Sequence, residues 1–128
     1  MTVTDPATGK TRFAVVPASY VFLLREIVSG GSTTGTEVLL QLRQDTGYMD
    51  GFWAAAAAGH VERGETAEVA ARREALEEIA VDDLDLTFVT AMQRTAHDLP
   101  IDERIDFFFT ARAWTGEPRI VEPAKCAD

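Results

Sequence analysis

Three glutamates, Glu74, Glu77 and Glu78, stand close together in a stretch from Thr66 to Ala80 that contains neither glycine nor proline. On an α-helix turning about 100° per residue, their side chains share an arc of roughly 100°. Beside that arc runs a second stripe, Val69, Arg73, Leu76 and Ala80. Carboxylates three and four residues apart repel by about a few tenths of a kcal/mol per pair, so a helix gains nothing structurally by gathering them. A bound cation would reverse the sign. Mg²⁺, with Mn²⁺ as the other choice, suits an all-oxygen donor set that leaves waters for substrate phosphates, and no Cys or His cluster suggests zinc. The plain alternative is an acidic face turned to water, and spacing alone leaves both readings open. Arg73, four residues before Glu77, can orient a carboxylate through charge-assisted hydrogen bonds. Glu68 and Arg72 form the corresponding outer pair and carry no functional signal.

These residues need a helix, and the flanking sequence supplies its ends. Thr66 is an N-cap, and no helix breaker follows for the next fourteen residues. Upstream, Arg12 to Ile27 reads as strand, interruption at Pro17 and strand again, with Val21 to Leu24 the buried part. Residues 29–36 have loop composition, and Glu37 to Leu42 resumes a strand, which makes a hairpin with a long tip. A second loop, Gln44 to Gly51, leads to the aromatics Tyr48, Phe52 and Trp53, which border the pocket. The alanines 54–58 favour helix by propensity, but the run is far too short to nucleate one, so it reads as a short buried strand. Leu84 to Met92 and Ile105 to Trp114 read as strands, and Thr115 to Pro118 as a turn.

From Gly59 to Val81 the sequence runs Gly-His-Val-Glu-Arg-Gly-Glu-Thr-Ala-Glu-Val-Ala-Ala-Arg-Arg-Glu-Ala-Leu-Glu-Glu-Ile-Ala-Val. This resembles the Nudix hydrolase box: Gly, five residues, Glu, seven residues, Arg-Glu, an apolar residue, any residue, Glu-Glu, any residue, Gly and an apolar residue. Gly59, Glu65, Arg73, Glu74, Ala75, Glu77, Glu78 and Val81 fill those positions. The box takes up 23 of 128 residues, and the strand order and the Gly-Tyr-Met-Asp-Gly-Phe-Trp lead-in extend the resemblance over most of the chain. Two positions depart from it. Ala80 replaces a glycine that often adopts left-handed geometry past the helix end, so either a cost of about 1 kcal/mol or a slightly longer helix is expected. Ala57-Ala58 replaces the usual Pro-Gly or Pro-Ala.

The resemblance implies an α/β fold, an α/β/α sandwich with a mixed sheet, apparently short at the C-terminus, in a single domain over residues 1–128. It implies hydrolysis of a phosphoanhydride bond in a nucleoside diphosphate linked to another group. Glu74, Glu77 and Glu78 would hold Mg²⁺ with the carbonyl of Ala58, and Glu65 would help; Glu74 would be ligand or base, and Arg73 would fix their geometry. A base outside the box is sought in the loop Asp98 to Asp106, where Glu103 is chosen over Asp98, Asp102 and Asp106. Arg43, Tyr48, Phe52 and Trp53 are the candidates for holding substrate, with Arg94, His60 and His97 as further phosphate contacts. The rival reading is a binding module of the same fold that recognises a nucleotide or metabolite without cutting it.

Composition sets the outer limits. The chain has 21 acidic against 12 basic side chains, a formal charge of −9, which is the wrong sign for binding a nucleic acid duplex. A polyanionic substrate then needs metal ions to cancel charge on both sides. Cys126 is the only cysteine, and the N-terminal residues lack the pattern of a secretion signal, which together suit the cytoplasm. The apolar stretch Phe13 to Leu24 is too short to span a bilayer, so no membrane role is expected. The short C-terminus predicts apolar surface at Phe107, Phe109 and Ile120, and with it a possible homodimer.

Overall fold

The computed structural model describes residues 2–42, 51, 53–95, 99 and 102–121. Its centre is a mixed sheet built on one long strand, β3 (Val16–Ser29), because β1 (Thr2–Thr4) and β2 (Thr11–Phe13) pair only with each other. The strands β4 (Ser32–Leu42), β5 (Trp53–Ala55), β6 (Ala57–His60), β7 (Leu86–Arg94) and β8 (Arg104–Ala111) complete it in the order β5-β4-β3-β8-β7. β8 runs parallel to β3, and all other pairings are antiparallel. One edge of β3 is shared: residues Ala18–Val21 pair with β6 and Leu23–Ser29 with β4. The α/β fold with a mixed sheet is the one expected. α1 (Ala67–Ile79) is the only helix among the described residues, and none there is long and apolar enough to cross a membrane.

Two local expectations need correcting. The loop read over residues 29–36 is a two-residue turn at Gly30-Gly31, whose φ angles of 59° and 80° are those of the tight hairpin turn that matches strand twist. The surplus length is absorbed by a bulge, since Ile27 pairs with Gly35 and Val28 with Thr33, leaving Thr34 unpaired. Pro17 does not interrupt the strand, because it lies inside β3 one residue before the β6 pairing begins. Its carbonyl still accepts from Val61 N, and the missing N–H, which would have answered Val61 O, falls where the β6 ladder ends. The alanine run is strand as expected, split by a bend at Ala56.

α1 packs its smallest residues on the sheet. Ala70, Ala71, Ala75 and Ile79 are buried, whereas Val69 and Leu76 of the apparent apolar stripe are each 50% exposed. The core joins Ala71, Ala75 and Ile79 to Val21, Leu23, Ala56, Ala57, Phe109 and Ala111, with Phe107 packed against it. Of the three residues expected to be partly uncovered, Phe109 is buried in this core, whereas Phe107 and Ile120 are partly buried. Ser19, fully buried, donates its hydroxyl to Ala67 O at 2.7 Å and pins the first turn of α1 to β3.

Both helix ends follow the sequence. Thr66 Oγ1 accepts from Val69 N at 3.2 Å. At the other end Ala80 takes φ 58° and ψ 35°, so the chain adopts the left-handed geometry rather than lengthening the helix. A side chain there costs about 1 kcal/mol against glycine. Ala80→Gly should therefore stabilise the protein, by somewhat less than that cost because glycine also frees the unfolded chain. A rise in Tm of about 3 °C in calorimetry is expected.

Candidate active site

The site begins with a backbone edge. Val16 N donates to Glu103 O in the β8 direction, so even-numbered residues at this end of β3 turn their backbone groups to β8 and odd-numbered ones to β6. Ser19 and Val21 accordingly bond to Gly59 and Ala57, and Ala58 and His60 turn their backbone groups outward from the sheet. That outward edge meets α1. Ala58 N donates to Glu78 Oε2 at 3.1 Å, and His60 O accepts from Arg73 at 3.1 Å. Between them Gly59 lies against Glu74: a Cβ there would sit 2.2 Å from the Glu74 carboxyl carbon. The box glycine is required by this close approach, since its φ is not in the left-handed region.

Arg73 organises the carboxylates. Its Nε and one terminal nitrogen hold Glu65 bidentately at 2.7 and 2.9 Å, and its other terminal nitrogen donates to Glu74 at 2.6 Å and Glu77 at 3.3 Å. Glu62 lies 3.9 Å away at the exposed rim. Glu65 also accepts from Glu62 N at 2.9 Å, so both of its oxygens, offered by the sequence as metal helpers, are taken up by the Arg73 cradle. These hydrogen bonds hold the Glu65 carboxyl down at about 2, and Glu65 and Glu74 together keep Arg73 protonated above its ordinary range. The side chains of Glu65 and Glu74 are 15% and 13% exposed, that of Glu77 57%. The outer pair Glu68–Arg72, at 3.4 Å, lies apart as expected, and Arg72 reaches Leu84 O at 2.7 Å.

Among the described residues no three acidic, imidazole or thiol groups already converge on one point. The donor chemistry nevertheless fits a hard dication. Glu74 and Glu78 flank the outward edge of β6, Glu77 stands at the rim, and in an extended strand the Ala58 carbonyl shares the edge of its amide.

The other candidates separate. Glu103 accepts from Thr95 Oγ1 at 2.6 Å where β7 and β8 meet, and that bond does not join it to the Arg73 group. Asp106, sought in a loop, is a β8 residue only 2% exposed, bonded to Arg94 at 2.6 Å with Arg104 at 3.4 Å. Arg94 and Arg104 also donate to Tyr20 Oη at 3.4 and 3.0 Å, and burial raises the Tyr20 phenol. Sequence reasoning missed this array because its members lie on three strands; the alternation Arg104-Ile105-Asp106 was the available signal. His60 contributes its backbone, with an exposed side chain. Trp53, at the start of β5, is 55% exposed and so is not core. Arg43, Tyr48, Phe52, His97 and Asp98 lie outside the described residues.

Residues 27–128 match the family model of the NUDIX domain. The chain belongs to that family. Solved structures share its fold: a mutT/nudix family protein from Listeria innocua is 28% identical, with a TM-score of 0.63 over 80% of this chain and 67% of that one. The MutT NUDIX hydrolase of Burkholderia pseudomallei is 24% identical, with a TM-score of 0.61 over 84% and 78%. The NUDIX domain of Shewanella oneidensis NrtR, solved with ADP ribose, is 18% identical, with a TM-score of 0.66 over 94% and 73%. No curated protein sequence matches significantly. Nudix enzymes generally use divalent metal ions.

The cradle has an acid signature. Because the Glu65 carboxyl titrates at about 2 in the fold against 4.5 as the ordinary value, its contribution to stability is complete above about pH 4.5 and is lost as pH falls towards 2. In metal-free buffer, melting temperature followed from pH 5 to pH 2 should fall less steeply for Glu65→Gln than for the parent.

Proposed function

We propose that this Nudix domain is a hydrolase that cuts a phosphoanhydride bond in a nucleoside diphosphate linked to another group, with Mg²⁺ or Mn²⁺ as cofactor. One observation supports the reading above the rest: Arg73 gathers Glu65, Glu74 and Glu77 while the outward edge of β6 holds Glu78, all at box positions. A module freed from catalysis has no reason to keep three mutually repelling carboxylates there. In this reading Glu74, Glu77, Glu78 and the Ala58 carbonyl hold the metal. When bound, such an ion polarises the attacked phosphorus and lowers the pKa of a coordinated water.

The remaining roles belong to the chain's own groups. Arg73 holds Glu74 and Glu77 against their mutual repulsion and ties them to the box loop through Glu65 and His60 O. The Ala58 amide fixes one oxygen of Glu78, and Gly59 leaves room for Glu74. Glu74 serves as ligand or base, and Glu103 is kept as the candidate base outside the box. Trp53, exposed at the strand end, is a stacking surface for substrate, and Arg43, Tyr48 and Phe52 are kept as further candidates for holding it.

The second reading is nucleotide-derivative binding without cleavage; the likeness to a domain solved with ADP ribose supports its binding half. We propose a cytoplasmic protein in either case, with residues 1–128 making up one Nudix domain. A homodimer is kept as a proposal, and the edge strand β7, where Phe88, Val89 and Met92 are about half exposed, offers it an apolar surface.

Phosphate release from a panel of nucleoside diphosphate compounds, with and without Mg²⁺, decides between the readings. Glu78→Gln should lower turnover about a hundredfold or more, roughly 3 kcal/mol of lost transition-state stabilisation, with folding intact. Glu68→Gln, an equal change of charge on the outer face, should leave turnover nearly unchanged. Equal rates for the two variants would refute the assignment, and a parent inactive across the panel would favour the binding module. Millimolar Mg²⁺ or Mn²⁺ should also raise Tm by relieving carboxylate repulsion.

A further inference from the structure

The helix that carries the glutamates caps only part of its own end, through Ala80 N to Leu76 O and Val81 N to Ala75 O. Its last turn contains no basic residue, and Ala80 beyond it is held in the left-handed region. The last carbonyls of a helix lack intrahelical donors and must find them elsewhere. Here a distant segment provides them: Arg119 N donates to Ile79 O and Val121 N to Glu78 O, each at 3.0 Å. Just before these contacts, Asp82 and Thr115 exchange two backbone hydrogen bonds, at 3.0 and 2.8 Å. Gly116 completes the contact. Its φ is 100°, and a Cβ on it would lie 2.8 Å from Ala80 O, so only glycine lets the segment close on the helix end.

We propose that residues 115–121 act as a clamp on the end of α1, with Gly116 and the Val121 amide as positioning residues for Glu78. Glu78 is gripped from both sides: Val121 N holds its carbonyl, and Ala58 N holds its carboxylate. The clamp fixes where the residue's backbone sits, and the β6 edge fixes where its oxygens point. Loosening the first releases the second, because a helix end free to unwind carries the carboxylate away from Ala58. The clamp also over-determines the left-handed Ala80, which isolated helix ends reserve for glycine. The clamp stands on backbone geometry alone; its consequence for metal rests on the function proposed above.

Backbone amide exchange in the metal-free full-length protein tests it. Val121→Pro removes the donor to Glu78 O and also fixes φ at 121, and Val121→Ala keeps the donor. Relative to the core amide of Leu23, the amides of Ala58, Ala80 and Val81 should exchange about tenfold faster in Val121→Pro and in Gly116→Ala, and at the parent rate in Val121→Ala. Glu78→Ala sets the ceiling for Ala58. A variant whose Ala58 and Leu23 amides quicken in proportion has merely lost stability, and that outcome, like unchanged exchange, overturns the clamp. Mn²⁺ binding followed by electron paramagnetic resonance reads the consequence: the dissociation constant should rise about fivefold in Val121→Pro and not in Val121→Ala. A parent that binds no Mn²⁺ counts against the proposed function, and the exchange rates then decide the clamp by themselves.

Discussion

One guanidinium standing among carboxylates is the interaction on which the rest of this structure depends. Arg73 reaches Glu65, Glu74 and Glu77 within hydrogen-bonding distance and the backbone of His60 as well, so it ties helix, loop and strand together. Remove its charge and the half-buried Glu65 and Glu74 lose the partner that offsets their desolvation, at several times the cost of an exposed pair. The surrounding sequence is organised to bring that guanidinium to one place. Thr66 starts the helix at a fixed residue, the turn joining Glu62 O to Glu65 N aims Glu65 back at the helix, and Gly59 clears the space Glu74 needs.

The backbone supplies what the side chains cannot. A strand with neighbours on both sides has no spare amide to offer a carboxylate. β6 pairs only with β3, so alternate residues, Ala58 and His60, keep outward-facing groups. Such an edge is normally a liability because it invites further strand pairing. Here the helix side chains use it, with Glu78 accepting at Ala58 and Arg73 donating at His60. The length of β3 makes this possible, since one edge serves β6 first and β4 afterwards.

What the sequence revealed and what it hid divide along a physical line. The candidate site was legible because its residues are local: helical periodicity sets Glu74, Glu77, Glu78 and Arg73 side by side behind the Thr66 cap, and the resemblance to the Nudix box, not the spacing, gave them a chemical role. Ala80 was legible only through that resemblance, as a residue standing where the box has glycine. The turn at Gly30-Gly31 was not, because small polar residues fit a long loop and a tight turn with a bulge equally well. Which side of α1 is buried was not legible either, because Val69 and Leu76 are more apolar than alanine yet half exposed, and apolarity does not report the space available. The contacts of Arg119 and Val121 were invisible for another reason: their partners are far away in sequence, and pairing at that separation leaves no local pattern.

Size, more than apolarity, finally determines how close the functional groups come. Ala71 and Ala75 of α1 meet Ala56 and Ala57 of the strand segment, all fully buried. Such an interface contributes little hydrophobic free energy, about 0.8 kcal/mol for each buried methylene-sized group. It does, however, let helix and strand approach closely, and only at that separation does the Glu78 carboxylate reach the Ala58 amide at 3.1 Å. A larger residue at any of the four positions would repack the core at a cost of about 1–3 kcal/mol and push the helix outward. The glutamates would then face the strand across a gap no hydrogen bond spans. The alanine run, which by composition alone looks like a poor core, is the spacer that sets the geometry of the site.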